Sequence, residues 1–262
     1  APISYVKWDM NRNMTEIGSP AWPAKKQKEV AHRYMLGLYK ILENITTNFP
    51  NILFESCSGG GGRFDGGMLY YMPQTWTSDD TDAIERLKIQ EGTSLVYPVS
   101  TMGSHVSAVP NHQVHRITPL HTRGVVAMAG SFGYELDITK MTDEEKEEVK
   151  SQVKFYKNIR KTIQFGDLYR LKSAFDSNEA AWMNISKDGN NLVVSYVKKY
   201  AEANVLPKRL KLKALDENSL YEISETGEVF GGDELMYIGL EIGELNGDYQ
   251  ARSWTLRRIQ EQ

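Results

Sequence analysis

Cysteine is almost absent from this chain, since Cys57 is the only one in 262 residues. An internal disulfide framework is therefore excluded, which fits a reducing compartment. Neither sign of charge is in large excess, because 31 basic residues face 34 acidic ones and the net charge is −3. Such a balance gives no basic surface for nucleic acid or for an acidic membrane, so we expect a neutral partner.

Long apolar runs are also missing, as is a charged-then-apolar signal at the amino terminus. The sequence therefore predicts no membrane partner. Metal-ligand patterns are weak, because His112 and His115 have no cysteine or acidic partner at ligand spacing. We expect these to be ordinary loop histidines, and we expect neither a metal nor a cofactor.

Four of the 21 glycines form one tract, residues 59–62, which follows Cys57 and Ser58. No Gly-Lys-Ser/Thr follows it and no spaced dinucleotide fingerprint is present, so nucleotide binding is not predicted. A flexible turn is one interpretation. The other is a loop whose backbone approaches a ligand and offers bare N–H groups, because the tract lies between two acidic clusters.

The first acidic cluster lies near residue 9. In an extended strand Lys7, Asp9 and Asn11 share one face, while Val6 and Trp8 point the other way. A neighbouring ammonium keeps an aspartate ionised, which suits a nucleophile. A salt bridge on an edge strand explains this segment equally well.

The second acidic cluster follows an aromatic run and includes Asp79, Asp80 and Asp82. Asp82 and Glu85 have the spacing of a helix N-cap, which leaves Asp79 and Asp80 without a structural role. Retaining glycoside hydrolysis uses two carboxyl groups about 5–5.5 Å apart, one attacking and one holding a proton. We assign these roles to Asp9 and Asp79, respectively. Cys57 is a possible nucleophile in principle, but a thiol that lines the ligand site is favoured.

Up to about residue 165, strand-like and helix-like segments alternate, as in βα units around a parallel sheet. The predicted strands, residues 3–9, 52–56, 74–78, 102–107 and 130–136, are typical of the later strands of a barrel. Amphipathic helices are predicted over residues 24–47 and 143–163, the second opened by a Thr142/Glu145 capping box. Asp9, Cys57 and Asp79 then lie at the carboxyl ends of strands, where barrel enzymes place their chemistry.

After residue 165 the pattern changes to short alternating strands without evident helices. They are predicted over residues 180–185, 192–198, 209–215, 220–223, 235–240 and 251–259. Asp188-Gly189 and Asn246-Gly247 are hairpin-turn signals. The predicted fold is α/β plus all-β, with half a (β/α)8 barrel over residues 1–165 and an antiparallel β-sandwich over 166–262.

Three sequence blocks resemble family 36 glycoside hydrolases, the bacterial-type retaining α-galactosidases. They are KWDMNR at residues 7–12, CSGGGGRFD at residues 57–65 and WTSD at residues 76–79. The resemblance covers nearly the whole chain, but the β-sandwich and first half-barrel that precede these blocks in the family are not in it. It therefore implies the carboxyl-terminal half of the barrel and its following domain, in a bacterial cytoplasmic enzyme.

The resemblance implies that Asp9 is the nucleophile and Asp79 the general acid/base. It also implies that Lys7, Asn11, Cys57 and Gly59 contact the galactosyl group. The expected activity is hydrolysis of terminal α-D-galactosides of the melibiose or raffinose type, without a cofactor.

The expected partners are the galactoside, the upstream half of the enzyme and, in the full-length form, further copies of the enzyme. Two alternatives remain: a non-catalytic carbohydrate-binding fragment, and a transglycosylase of the same family.

Overall fold

The computed structural model describes residues 2–12 and 14–259, and the chain divides into two compact units. The first unit ends at Asp79 and the second begins at Asp80. Within the described residues, no helix is both long and apolar enough to cross a membrane. The predicted domain boundary after residue 165 stays a prediction.

The first unit holds three parallel strands in the order β1-β2-β3, with helices in the connections. Its elements are β1 (Tyr5–Asp9), α1 (Val30–Asn48), β2 (Leu53–Cys57), α2 (Gly66–Tyr71) and β3 (Gln74–Trp76), with a 3-10 helix at Ala24–Glu29 before α1. The register sets Lys7 opposite Glu55 and Asp9 opposite Cys57. These four side chains therefore share one face of the sheet, because residues in register point the same way.

The opposite face of these strands carries the core of the first unit. Val6, Trp8 and Phe54 pack there with Leu42 from α1 and Met68 from α2. Leu42 and Met68 are completely buried. Burial of the β1 residues on one side thus fixes which side chains face the other way, and Lys7 and Asp9 are exposed as a result.

The second unit begins with further helices and a parallel strand pair. They are α3 (Ala83–Ser94), β4 (Met102–Ser107), α4 (Leu120–Ala127), β5 (Ser131–Glu135) and α5 (Asp143–Phe165). The Asp82 carboxylate accepts hydrogen bonds from the N–H groups of Ile84 and Glu85, which confirms the predicted N-cap of α3. The predicted capping box of Thr142 and Glu145 opens α5.

An antiparallel region follows in the second unit. Its strands are β6 (Asp167–Lys172), β7 (Glu179–Ile185), β8 (Asn191–Lys198), β9 (Arg209–Leu210), β10 (Leu220–Ile223), β11 (Val229–Gly231), β12 (Leu240–Glu241) and β13 (Gln250–Ile259). Six form a sheet in the order β11-β10-β13-β8-β7-β6, and β9 pairs with β12. Met183 and Val194 of the large sheet pack with Leu210 and Leu240 of the small one. Parallel βα units followed by two packed antiparallel sheets confirm the predicted fold class.

One predicted strand is wrong. Residues 235–240 were expected to be extended, but helix α6 occupies Gly232–Tyr237. Asp233 and Glu234 lie in its first turn, where negative charge favours a helix, and Leu235 is completely buried. A helix of six residues has fewer than two turns, so the spacing of its apolar residues in the sequence does not distinguish it from a strand.

Two further expectations are only partly correct. The run at residues 209–215 pairs as a strand only over Arg209–Leu210, and Ala214 has a φ of 56°, which breaks the extended backbone. Gly189 has a φ of 73° and turns β7 into β8, as predicted. Gly247 also has a positive φ, but β13, which follows it, pairs with β8 and β10, so the predicted hairpin is wrong.

Candidate active site

The carboxylate of Asp9 closes strand β1 and is held by donors on both oxygens. The backbone N–H of Met10 donates to Oδ1 at 2.9 Å, and Asn11 Nδ2 donates to Oδ2 at 2.8 Å. Burial raises the pKa of Asp9, but hydrogen bonds from Cys57, Asn11 and Met10 together with the charge of Lys7 outweigh it and hold the pKa below its usual value. Asp9 is therefore ionised at neutral pH, as a nucleophile must be.

The glycine tract forms a turn that is tied to the end of β1. The N–H of Gly59 donates to Asn11 Oδ1 at 2.8 Å, and Ser58 Oγ donates to the carbonyl of Met10 at 2.8 Å. The Met10 N–H also reaches the Cys57 carbonyl at 3.1 Å. Asn11 thus bridges Asp9 and the turn, and the Gly59 N–H that we expected to face a ligand is used by Asn11.

The same turn lies against the segment that follows β3. A Cβ on Gly60 would come within 2.6 Å of Ser78 Cα and 2.8 Å of the Asp79 nitrogen. A Cβ on Gly61 would lie 2.7 Å from the Thr77 carbonyl oxygen. Glycine is required here by close backbone approach, and in the case of Gly60 also by a φ of 80°.

The two predicted carboxylates consequently border one turn. Asp9 reaches it through Asn11, and the Asp79 backbone touches it at Gly60. Both aspartates are exposed in this chain. Arg63 fixes the ends of the strands, since its Nη2 donates to the carbonyls of Trp8 at 3.1 Å and Cys57 at 3.2 Å.

Cys57 is buried beside Asp9. Burial is the main reason that its pKa is raised to about 11, and the charge and hydrogen bond of Asp9 raise it as well. The thiol is therefore protonated at neutral pH and serves Asp9 as a donor. This protonation state favours the predicted lining thiol over a thiolate nucleophile.

Lys7 lies one pleat before Asp9 on the same face. Its Nζ is 3.8 Å from Glu55 Oε1 and 4.6 Å from the centroid of the Trp76 ring. Glu55 is not among the predicted site residues, although its position in the sequence carries a signal. Alternation within β2 sets Glu55 on the same face as Cys57, and therefore next to the other site residues.

The predicted site residues thus fall into two linked groups. Asp9, Asn11 and Gly59 form one hydrogen-bonded chain, with Cys57 as a further donor to Asp9. Lys7 adds its charge to the same face, while Asp79 joins through its backbone contact with the turn. In the part of the chain that the structure describes, no group of three or more His, Cys, Asp or Glu side chains could hold a metal ion.

Comparison with known families identifies the chain. The sequence model of the family described as Melibiase matches residues 1–166, more than half of the chain. The chain belongs to the melibiase family. A second model, described as the glycosyl hydrolase family 36 C-terminal domain, matches residues 179–256. Both matches confirm the resemblance to family 36 that the three sequence blocks indicated.

Curated relatives of this melibiase-family chain are named α-galactosidases. Alpha-galactosidase AgaA of Geobacillus stearothermophilus is 62% identical over 261 residues, which are 100% of this chain and 36% of the relative. Alpha-galactosidase Mel36A of Lactobacillus acidophilus is 54% identical over 98% of this chain and 35% of its own length. The chain therefore spans about a third of the length of these relatives.

Solved structures give the same result. Crystal structures of AgaA variants from Geobacillus stearothermophilus in complex with raffinose and with stachyose are 61% and 62% identical to this chain. Each matches with a TM-score of 0.96 over 99% of this chain and 36% of that protein.

Proposed function

We propose that this chain carries both catalytic carboxylates of a retaining α-galactosidase that acts on terminal α-linked galactose, in oligosaccharides of the raffinose and melibiose type. The observation that carries the proposal is that Asp9 and Asp79 border one glycine turn. Asp9 is the last residue of β1 and Asp79 follows β3, so both lie at the carboxyl ends of parallel strands, the position of catalytic groups in barrel enzymes. The names of the curated relatives support the same substrate class.

In the proposed reaction the Asp9 carboxylate attacks the anomeric carbon of the galactosyl group. The glycosidic bond breaks while Asp79 gives its proton to the departing oxygen, and a galactosyl ester on Asp9 results. Asp79, now a carboxylate, takes a proton from water, whose oxygen attacks the same carbon and releases galactose and Asp9. Two displacements retain the configuration.

Activity is proposed to need residues upstream of this chain. Both carboxylates are exposed, whereas the proton on Asp79 requires two carboxyl groups that interact in a water-poor cleft. In the described residues, β1 pairs with β2 on one side only. We expect little turnover from the isolated chain.

Upstream residues can be supplied by an extended chimera, in which this chain replaces the matching 261-residue region of the Geobacillus stearothermophilus relative. The chimera and the isolated chain are assayed with p-nitrophenyl α-galactoside. We expect the chimera to turn over the substrate and the isolated chain to show little turnover. Strong turnover by the isolated chain would contradict the need for upstream residues.

Covalent trapping tests the roles of the two carboxylates. The chimera is treated with a fluorinated galactosyl donor, whose ester is slow to hydrolyse, and the labelled peptide is mapped. The adduct is expected on Asp9. A label on Asp79 would reverse the two roles.

A non-catalytic carbohydrate-binding fragment is the second candidate, favoured by the exposure of both carboxylates and the one-sided pairing of β1. The same assay separates it from the first. A chimera that binds galactosides without turnover would support binding alone.

A further inference from the structure

Glu55 is a buried carboxylate in the middle of β2, with 1% of its surface exposed. It lies in register with Lys7, on the sheet face that also carries Asp9 and Cys57. Burying a carboxylate is unfavourable unless it is paired with a charge or with hydrogen-bond donors. The reaction proposed above gives Glu55 no task, so its pairing needs a reason.

Two partners of Glu55 come from β1. Lys7 Nζ lies 3.8 Å from Oε1, and the Tyr5 hydroxyl donates to Oε2. The Tyr5 hydroxyl also lies 3.3 Å from Gln74 Oε1 on β3. Glu55 is thus held by two side chains of β1, one of which, Tyr5, is itself in contact with β3.

Lys7 is held between Glu55 and the ring of Trp76, whose centroid is 4.6 Å from Nζ. Trp76 is buried, so this ring is a fixed surface. The Lys7 side chain nevertheless keeps 35% of its surface exposed, so part of it remains accessible to a ligand. A lysine has many rotamers, and a fixed partner on one side restricts them before a ligand arrives.

We propose that Glu55 is a positioning residue, which holds the Lys7 ammonium where it can bind a hydroxyl of the galactosyl group. This rests on the proposed function. Glu55 acts through Lys7 and has no contact of its own with the sugar. Without the Glu55 charge, the Lys7 ammonium loses the partner that restricts its rotamers, and it is less often placed to bind the substrate.

The variant Glu55→Gln tests this in the extended chimera, because it removes the charge and keeps the shape. We expect KM for p-nitrophenyl α-galactoside to rise ~10-fold while kcat changes less than ~3-fold, since a charge-assisted contact made in substrate binding is lost. Glu43→Gln, an exposed carboxylate on α1, is the matched control and should leave both constants unchanged. Unfolding temperatures of all variants separate binding from folding.

A double-mutant cycle with Lys7→Met identifies the route of the effect. Lys7→Met alone should raise KM at least as much as Glu55→Gln does. In the Lys7→Met background, Glu55→Gln should change KM by less than ~2-fold, because residues that act as a unit are not additive. Additive effects, or an unchanged KM in either single variant, would overturn the proposal.

Two further measurements cover other outcomes. If Glu55→Gln does not fold, Tyr5→Phe removes one hydrogen bond to Glu55 and should raise KM ~3-fold, and an unchanged KM there would overturn the proposal. If the unmodified chimera neither turns over substrate nor binds 1-deoxygalactonojirimycin while the relative does both, the proposed function fails and this inference fails with it. An active chimera whose KM is insensitive to Glu55 would overturn only the inference.

Discussion

The backbone of Gly60 lies directly against that of Asp79, so close that a Cβ on Gly60 would be 2.8 Å from the Asp79 nitrogen. Real side-chain carbons do not approach a backbone atom so closely, and the φ of 80° at Gly60 disfavours any other residue. The position of Asp79, the proposed general acid/base, therefore depends on the absence of a side chain at residue 60.

Gly60→Ala is expected to displace Asp79 and to lower kcat/KM of the extended chimera ~100-fold, since a shift of about 1 Å at a catalytic group costs that much. The measurement is steady-state turnover of p-nitrophenyl α-galactoside.

Gly189→Ala is the matched control for Gly60→Ala. It has a similar φ of 73° with nothing within 4 Å of the new Cβ, so it costs about 1 kcal/mol of stability without touching the site. Equal losses of activity in both variants would mean that backbone strain, and not the contact with Asp79, is responsible.

Asn11→Ala is expected to move the acidic limb of the kcat/KM profile to higher pH. Asn11 Nδ2 donates a hydrogen bond to Asp9 Oδ2, and this hydrogen bond is one of the interactions that lower the pKa of Asp9. Removing the donor raises the pKa, so Asp9 loses its charge at a higher pH.

A pH profile of the extended chimera from pH 3 to pH 8 checks the expectation for Asn11. Ser94→Ala, on α3, is a suitable comparison and should leave the limb in place. A profile of Asn11→Ala that coincides with that of the unmodified chimera would show that Asn11 does not govern the ionisation of Asp9.

The site was predictable wherever it depends on local pattern. Alternation within β1 gave the shared face of Lys7 and Asp9, and the register with β2 confirmed it. Alternation within β2 indicates the face on which Glu55 lies, but its pairing with Lys7 comes from another strand and is not visible in either segment alone. The same holds for Gly60, whose need to be glycine comes from contact with Ser78 and Asp79.

The fold, like the site, was predictable where it depends on local sequence and not where it depends on contacts between distant segments. The helix α5 was predictable because Thr142 and Glu145 form a capping box within four residues of sequence. Helix α6 was not, since it is short and is stabilised by burial of Leu235 in the antiparallel region. Tertiary burial overrides local propensity in such short elements.

Glu179 supports the antiparallel region, and Glu179→Gln should lower its stability. This buried carboxylate pairs with Lys172 and Lys208. The substitution weakens two charge-assisted hydrogen bonds, but both lysines are 36% exposed and keep water as a partner, so the expected cost is about 2 kcal/mol. Glu241→Gln, at an exposed pair with Arg209, should cost about 0.5 kcal/mol or less.

The effect of Glu179→Gln depends on pH. Burial raises the pKa of Glu179, but hydrogen bonds from Lys172, Lys208 and Tyr196 outweigh it, and the pKa lies below the usual 4.5. The stability that Glu179 contributes is therefore present above that usual value and is lost as the pH falls through the lowered one. Urea unfolding of the isolated chain should show a large difference between the two proteins at pH 7 that shrinks below pH 4.5. A difference that grows in acid would contradict this.

The stereochemistry of an azide product should distinguish the proposed roles of Asp9 and Asp79. In Asp79→Ala, an activated donor such as 2,4-dinitrophenyl α-galactoside needs no acid, so the galactosyl ester on Asp9 still forms. Water attacks that ester slowly without a base, and azide attacks it instead. Two displacements give α-galactosyl azide, with a rate restored at least ~10-fold over the variant without azide.

In Asp9→Gly no ester can form, and azide takes the place of the missing carboxylate. It attacks the α-galactoside directly while Asp79 protonates the leaving group, so a single displacement gives β-galactosyl azide. The anomeric proton coupling in the NMR spectrum of each product identifies its configuration. A single displacement inverts the configuration and shows that the nucleophile is missing, whereas two displacements retain it and show that the nucleophile is present. An α product from Asp9→Gly, or a β product from Asp79→Ala, would therefore require the roles of the two carboxylates to be exchanged.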